Sequence, residues 1–152
     1  MNIKRLGLGL LMAGAMFVNP GLAQEVHLMD GVTARADNNP TVEAGKYKKD
    51  GDWVIGMSAF GVNANTWTVQ VAHEAQAAAA KDKRITKFVL LDAGFDQKKQ
   101  VADIEDLIAQ KVDAIIVQPV TSTSADASIE KAVAAGIPVI VHTGRIETDA
   151  YT

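Results

Sequence analysis

From Trp53 onward the chain alternates short, continuously apolar runs with segments of helical period, and that alternation restricts it to one class of fold. The first run, Trp53-Val54-Ile55-Gly56-Met57-Ser58, is closed by Gly61 and the asparagines beside it. Residues 66–81 are alanine-rich and read as a helix, with Val71, Ala75, Ala78 and Ala79 along one stripe. Phe88-Val89-Leu90-Leu91 is a second strand, unbroken in its apolar character as a strand covered on both faces would be. Residues 96–110 form a second helix, with Val101, Ile104 and Ile108 spaced by three and four. Ala114-Ile115-Ile116-Val117 is a third strand. Residues 124–135 form a third helix, stopped by Gly136 at the position that wants a left-handed residue. Ile137-Pro138-Val139-Ile140-Val141 is a fourth strand, with the proline at its beginning.

The order β-α-β-α-β-α-β with apolar strands predicts an α/β fold, an open parallel sheet with helices on both faces. Right-handed crossovers place the C-terminal end of every strand on one rim, and ligands of such sheets sit outside that rim. The loops expected to carry function are therefore residues 59–65, 92–95, 118–123 and 142–145.

Each loop offers polar groups. A sugar presents hydroxyls, which want amides and carboxylates, and patches of C–H, which want an aromatic face. Asn65 and Trp67 supply both kinds of group where the first helix opens, although Asn65 equally suits a helix cap. Asp92 ends the second strand, where a carboxylate needs partners, and Asp96 suits the cap of the second helix. The third loop holds Gln118, Thr121, Ser122, Thr123 and Ser124, one of which is expected to cap the third helix. The fourth holds His142, Thr143 and Arg145, whose guanidinium forks onto hydroxyl pairs or carboxylates.

The sequence ahead of Trp53 is of another kind. Lys4 and Arg5, then an apolar stretch over residues 6–18, then Asn19-Pro20 and Gly21-Leu22-Ala23, read as a secretory signal cleaved before Gln24. The apolar stretch is shorter than the ~20 residues that span a bilayer. Losing it leaves 13 basic against 18 acidic residues, a net charge of about −5. Residues 24–52 show no sustained period; Asp30-Gly31, Asn38-Asn39-Pro40 and a polar run up to Asp52 read as an extended N-terminal arm. The domain proper is expected over residues 53–152.

Other chemistries lack their signatures. A formal charge of −3 gives no basic face for nucleic acid. There is no cysteine, so neither disulfides nor thiolate metal sites are available. His27, His73 and His142 have no metal-ligand spacing. No dinucleotide, phosphate-loop or nucleophile-elbow motif is present. A protein with no cofactor, no metal and no catalytic residues is expected, not an enzyme.

Taken together, several of these features resemble one family. They are the leader, Asn65-Thr66-Trp67 at the first helix, a strand ending in Asp92, and Asp96 followed at Gln100. The continuous run from Asp103 to Val117 and the closing Ala135-Gly136-Ile137-Pro138-Val139-Ile140 extend the likeness. The set is similar to the sugar-binding proteins of bacterial ABC importers, the ribose-type (type I) periplasmic binding proteins, and covers residues 53–145. The resemblance implies a periplasmic receptor of two lobes that close on a monosaccharide or polyol and dock on importer membrane subunits. It implies that Trp67 stacks on the sugar ring with Asn65 as a polar neighbour. It also marks departures. Thr68 stands where many relatives have Arg. His142-Thr143-Gly144-Arg145 stands where many relatives have Asp-Arg, so that the carboxylate is replaced and Arg145 is displaced by one. The family needs about twice this length, so the chain is expected to be an incomplete N-terminal lobe. An exported receptor that presents a sugar or autoinducer to a membrane sensor is the alternative reading. An inducer-binding regulator of the same fold would carry no leader.

Overall fold

The computed structural model describes residues 45–151. The expected leader and the arm as far as residue 44 lie outside the described residues. Strands β1 (Trp53–Ala59), β2 (Ile85–Asp92), β3 (Ala114–Val117) and β4 (Val139–Val141) form one parallel sheet in the order β2-β1-β3-β4. Helices α1 (Thr66–Lys81), α2 (Gln97–Ala109) and α3 (Asp126–Ala134) connect them in turn. The chain steps from β1 to one neighbour, β2, and then back across β1 to the other, β3. The direction of winding therefore reverses between β1 and β3, at the point where such sheets open a crevice.

Side-chain alternation sorts the two faces. Ile115, Val117 and Val139 point into a closed cluster with Ile104 and Leu107 of α2 and Ile129 and Ala132 of α3. Gly56 lies beneath α2, and a Cβ there would meet Leu107 Cδ2 at 2.6 Å. The glycine is what lets helix and strand approach so closely. Met57 points the other way and is buried on the α1 face.

The strand–helix alternation and the parallel sheet are as the sequence predicts, but several details differ. The buried residues of α1 are Thr68, Ala72 and Ala79; of the expected stripe Ala79 is among them, Val71 and Ala75 are half-buried, and Ala78 is exposed. In an alanine-rich helix every stripe is nearly as apolar as the next, so composition cannot choose one. β2 starts at Ile85, is an edge strand and is only half-buried; Thr86 and Lys87 face water. β4 is shorter than expected because pairing begins only after Pro138, whose carbonyl accepts from Ile115 N at 3.0 Å. α3 begins at Asp126 and has no side-chain cap, contrary to expectation; its N-cap is Ala125, fully buried. The hydroxyl chemistry of that loop goes instead into a turn in which Thr121 Oγ1 accepts from Ser124 N at 3.2 Å. Gly136 follows α3 at φ 81°, as predicted. Beyond β4, Ile146 is buried in the α2–α3 cluster and Tyr151 packs against it, a return that no local pattern of residues announces.

Candidate functional site

The four strand ends align on one rim, with Ala59 opposite Asp92, Ser58 opposite Val117, and Val117 opposite Val141. The loops leaving them are tied to one another. Ala93 N donates to Ala59 O at 2.8 Å, Gln118 N to Ser58 O at 2.9 Å and His142 N to Val117 O at 2.9 Å. Gln100, 0% exposed on α2, reaches under the third loop: its amide donates to Gln118 O at 2.7 Å and its carbonyl accepts from Val120 N at 2.8 Å. One buried side chain thus satisfies two backbone groups that would otherwise be orphaned.

The candidate residues divide by how much of each is already engaged. Asn65 is the N-cap of α1 in a reciprocal box with Thr68: Asn65 Oδ1 accepts from Thr68 N at 3.0 Å, and Thr68 Oγ1 accepts from Asn65 N at 3.1 Å. Its amide nitrogen makes no bond among the described residues, so capping leaves its donors unspent. Trp67, two residues on, is 46% exposed. Asp92 Oδ1 accepts from Val62 N and from Gly94 N, both at 3.0 Å, which pins the first loop to the second. This answers a strand-end carboxylate's need for partners while leaving its other oxygen unbonded. Thr143 has φ 51°, a costly conformation for a β-branched residue, and its Oγ1 lies 2.9 Å from His142 Nδ1. Arg145 is exposed and makes no hydrogen bond or ion pair among the described residues. Asp96 caps α2 as expected, accepting from Lys98 N and Lys99 N.

The structure gives a place to rim residues beyond the five candidates, among them His142 and Gln118 of the loops already named. The ring of His142 is parallel to that of Trp67, within 5°, with centroids 6.5 Å apart. Gln118, 2% exposed, holds that imidazole through a contact of 3.2 Å between its Nε2 and His142 Nδ1. Phe95, 58% exposed at φ 66°, tilts against Phe60 at 5.5 Å between centroids, over Gly61, where a Cβ would strike the Phe95 ring. Aromatic residues at strand ends were the available signal. Two strained non-glycine residues, Phe95 and Thr143, therefore sit on this rim.

Two clefts of about 560 and 630 Å³ lie at the opposite, N-terminal edge of the sheet, where residues 46–53 fold over it. Part of their lining is engaged within itself. Lys49 Nζ is 2.6 Å from Asp113 Oδ1 and lies 5.7 Å above the centre of the Trp53 ring, and Asp113 Oδ2 accepts from Val54 N at 2.7 Å. These contacts fasten residues 46–53 to the sheet, while the exposed rings of Trp67 and Phe95 stand at the rim. Among the described residues there is no group of three His, Cys, Asp or Glu side chains that would hold a metal ion. Nor is any helix there long and apolar enough to cross a membrane.

A family model described as a periplasmic binding protein domain matches residues 55–151. The ribose import binding protein of Bacillus subtilis (strain 168) is 34% identical over 102 residues, which cover 64% of this chain and 32% of that protein. A solute-binding protein of an ABC transporter from Bacillus halodurans C-125, solved with bound myo-inositol, is 33% identical. It superposes with a TM-score of 0.55 over 61% of this chain and 31% of its own. The binding protein of an arabinose ABC transporter from Shewanella sp. ANA-3, bound to L-arabinofuranose, is also 33% identical. Its TM-score is 0.56, covering 62% of this chain and 30% of that one. The chain thus spans about a third of the length of these relatives.

Proposed function

The chain belongs to the periplasmic binding protein domain family, and we propose that it serves as the solute-binding component of a sugar ABC importer. In this reading the rim takes a monosaccharide or related polyol, and the loaded protein docks on importer membrane subunits. Residues 1–23 direct its export, residues 24–52 form an arm, and it works in the periplasm as a binding protein, without catalysis or cofactor. The observation that carries the proposal is the pairing, on one rim, of an exposed ring surface with unspent polar groups. Trp67 offers a flat apolar face to the C–H side of a sugar. The Asn65 amide, the free oxygen of Asp92, the Thr143 hydroxyl and the Arg145 guanidinium stand on the loops around it to meet hydroxyls. Net hydrogen-bond gains of about 1 kcal/mol each accumulate only where several such groups converge.

The test is an NMR titration of the chain with a panel of pentoses, hexoses and inositols. The indole N–H of Trp67 is expected to shift with at least one of them, while that of Trp53, at the opposite edge, stays still. No movement at Trp67 with any member of the panel, or movement at Trp53 instead, rules the site out.

A further inference from the structure

The rim carries one more ring than the reading above uses. His142 stands immediately after β4, exposed, with its plane within 5° of Trp67. A ligand ring laid flat on Trp67 is therefore also parallel to the imidazole. The imidazole is held from behind. Gln118 presents its amide nitrogen to Nδ1 at 3.2 Å, and an amide nitrogen has only hydrogens to offer, so Nδ1 accepts and the ring proton sits on Nε2. Thr143 Oγ1, 2.9 Å from Nδ1 and 3.4 Å from Nε2, lies over the face of the ring and not in line with the Nδ1 lone pair, so it packs against the imidazole.

The support is fixed at each step. Gln118 is buried, its N–H donates to Ser58 O and its carbonyl accepts from Gln100. Thr143 is kept in its strained conformation with Gly144 against Pro119, where a Cβ on the glycine would come within 2.7 Å of the proline ring. Strain held in place by packing on an exposed turn is the pattern found where a side chain is being aimed. Here it aims an imidazole edge.

We propose that His142 contacts the ligand directly, its Nε2–H donating to an oxygen at the edge of a hydroxylated ring resting on Trp67, and so selects ligands with an acceptor at that edge. The proposal rests on the rim being a sugar or polyol site. The residue is then a specificity determinant, and its effect passes through the nitrogen and not through ring packing alone.

The experiment uses the ¹⁵N-labelled chain with millimolar myo-inositol and L-arabinose as probes, comparing wild type with His142→Ala and His142→Phe. The wild-type imidazole should show an unprotonated Nδ1 and a protonated Nε2, with the Nε2 resonance moving on addition of a probe. Both variants should keep a dispersed backbone spectrum and bind roughly 5-fold more weakly, the size expected for one lost neutral hydrogen bond. The Phe variant decides between roles, because it keeps a flat ring beside Trp67 but removes the donor. Wild-type affinity in His142→Phe, unchanged affinity in His142→Ala, or the opposite tautomer would each overturn the proposal while leaving the sugar site standing. If no probe moves Trp67 in the wild type, the sugar site fails and the role of His142 falls with it.

Discussion

Trp67 occupies the second position of α1, where a side chain can serve either the core or the rim. Its exposure of 46% places it on the rim. Trp67→Ala is accordingly expected to weaken sugar binding by ~1–2 kcal/mol, the scale of a lost aromatic contact. Stability should change by less than about 1 kcal/mol, since no core contact is removed. Paired sugar titrations and urea melts check both halves; a collapse of stability with affinity intact would return the residue to the core. At the other edge, Asp113 is half-buried and paired with Lys49. Burial pushes its carboxyl up, but the Lys49 ammonium and the Val54 N–H outweigh that and hold it below the usual carboxylate range. Asp82, forked by Arg84, is lowered to about 2. Because both are depressed, their contribution is complete above the unfolded value near ~3.9 and is lost as pH falls through the folded values. The urea midpoint should therefore hold level from neutral pH to about 5 and decline below about 4. Asp113→Asn should remove part of that acid decline, and an identical pH profile in the variant would show that the pair with Lys49 contributes nothing.

Among the elements, the connection from β3 to α3 depends most on a distant residue. It has no side-chain cap of its own and is held by Gln100 from α2. Gln100→Ala leaves the Gln118 carbonyl and the Val120 N–H without these partners in a buried place, so a loss of roughly 2–4 kcal/mol is expected. The same change frees Gln118, which supports His142, so affinity for a sugar should fall although Gln100 is itself buried beneath the rim. Urea denaturation and titration of the folded fraction separate the two effects; a stable variant would mean that water replaces the amide. The limits of α1 were legible because Asn65 and Thr68 form a capping box and the alanines between them and Lys81 have no better state. Which side of α1 turns inward was not legible, because that depends on where the sheet lies.

At the scale of the whole molecule, the described residues meet a ligand at the rim from one side. A sugar resting on it keeps its other face in water, where its hydroxyls gain little by changing partners. The 152-residue chain is therefore expected to bind sugars with a dissociation constant of ~1 mM or weaker, about −4 kcal/mol at most. A second wall would be needed to desolvate the ligand. Micromolar binding in calorimetry would show that one rim suffices. The apolar side chain of Ile140, 46% exposed on β4, is in register with Ile116 and Met57, on the face of the sheet away from the α2–α3 cluster. Expressed with its leader, the chain should appear outside the inner membrane with Gln24 as its first residue, which intact-mass measurement reads directly. Retention of Met1 in the exported material would defeat the assignment of residues 1–23.

The alternation of apolar strands and helical segments is a local property, so the class of fold, the parallel sheet and the rim on which to look for a site can be read from the order of residues alone. Gly136 after α3, Asp96 before α2 and Pro138 before β4 are likewise local, since each works through its own backbone. Which rim groups are already engaged and which are left over depends on contacts between distant parts of the chain. Asp92 divides its carboxylate between two loops and Asn65 keeps only its donors. His142 becomes a candidate because β4 ends beside α1, 75 positions from Trp67 in sequence but with the two rings parallel in space. Hydrogen-bond partners and ring contacts at such separations are set by how the sheet winds, and no local pattern of residues encodes them.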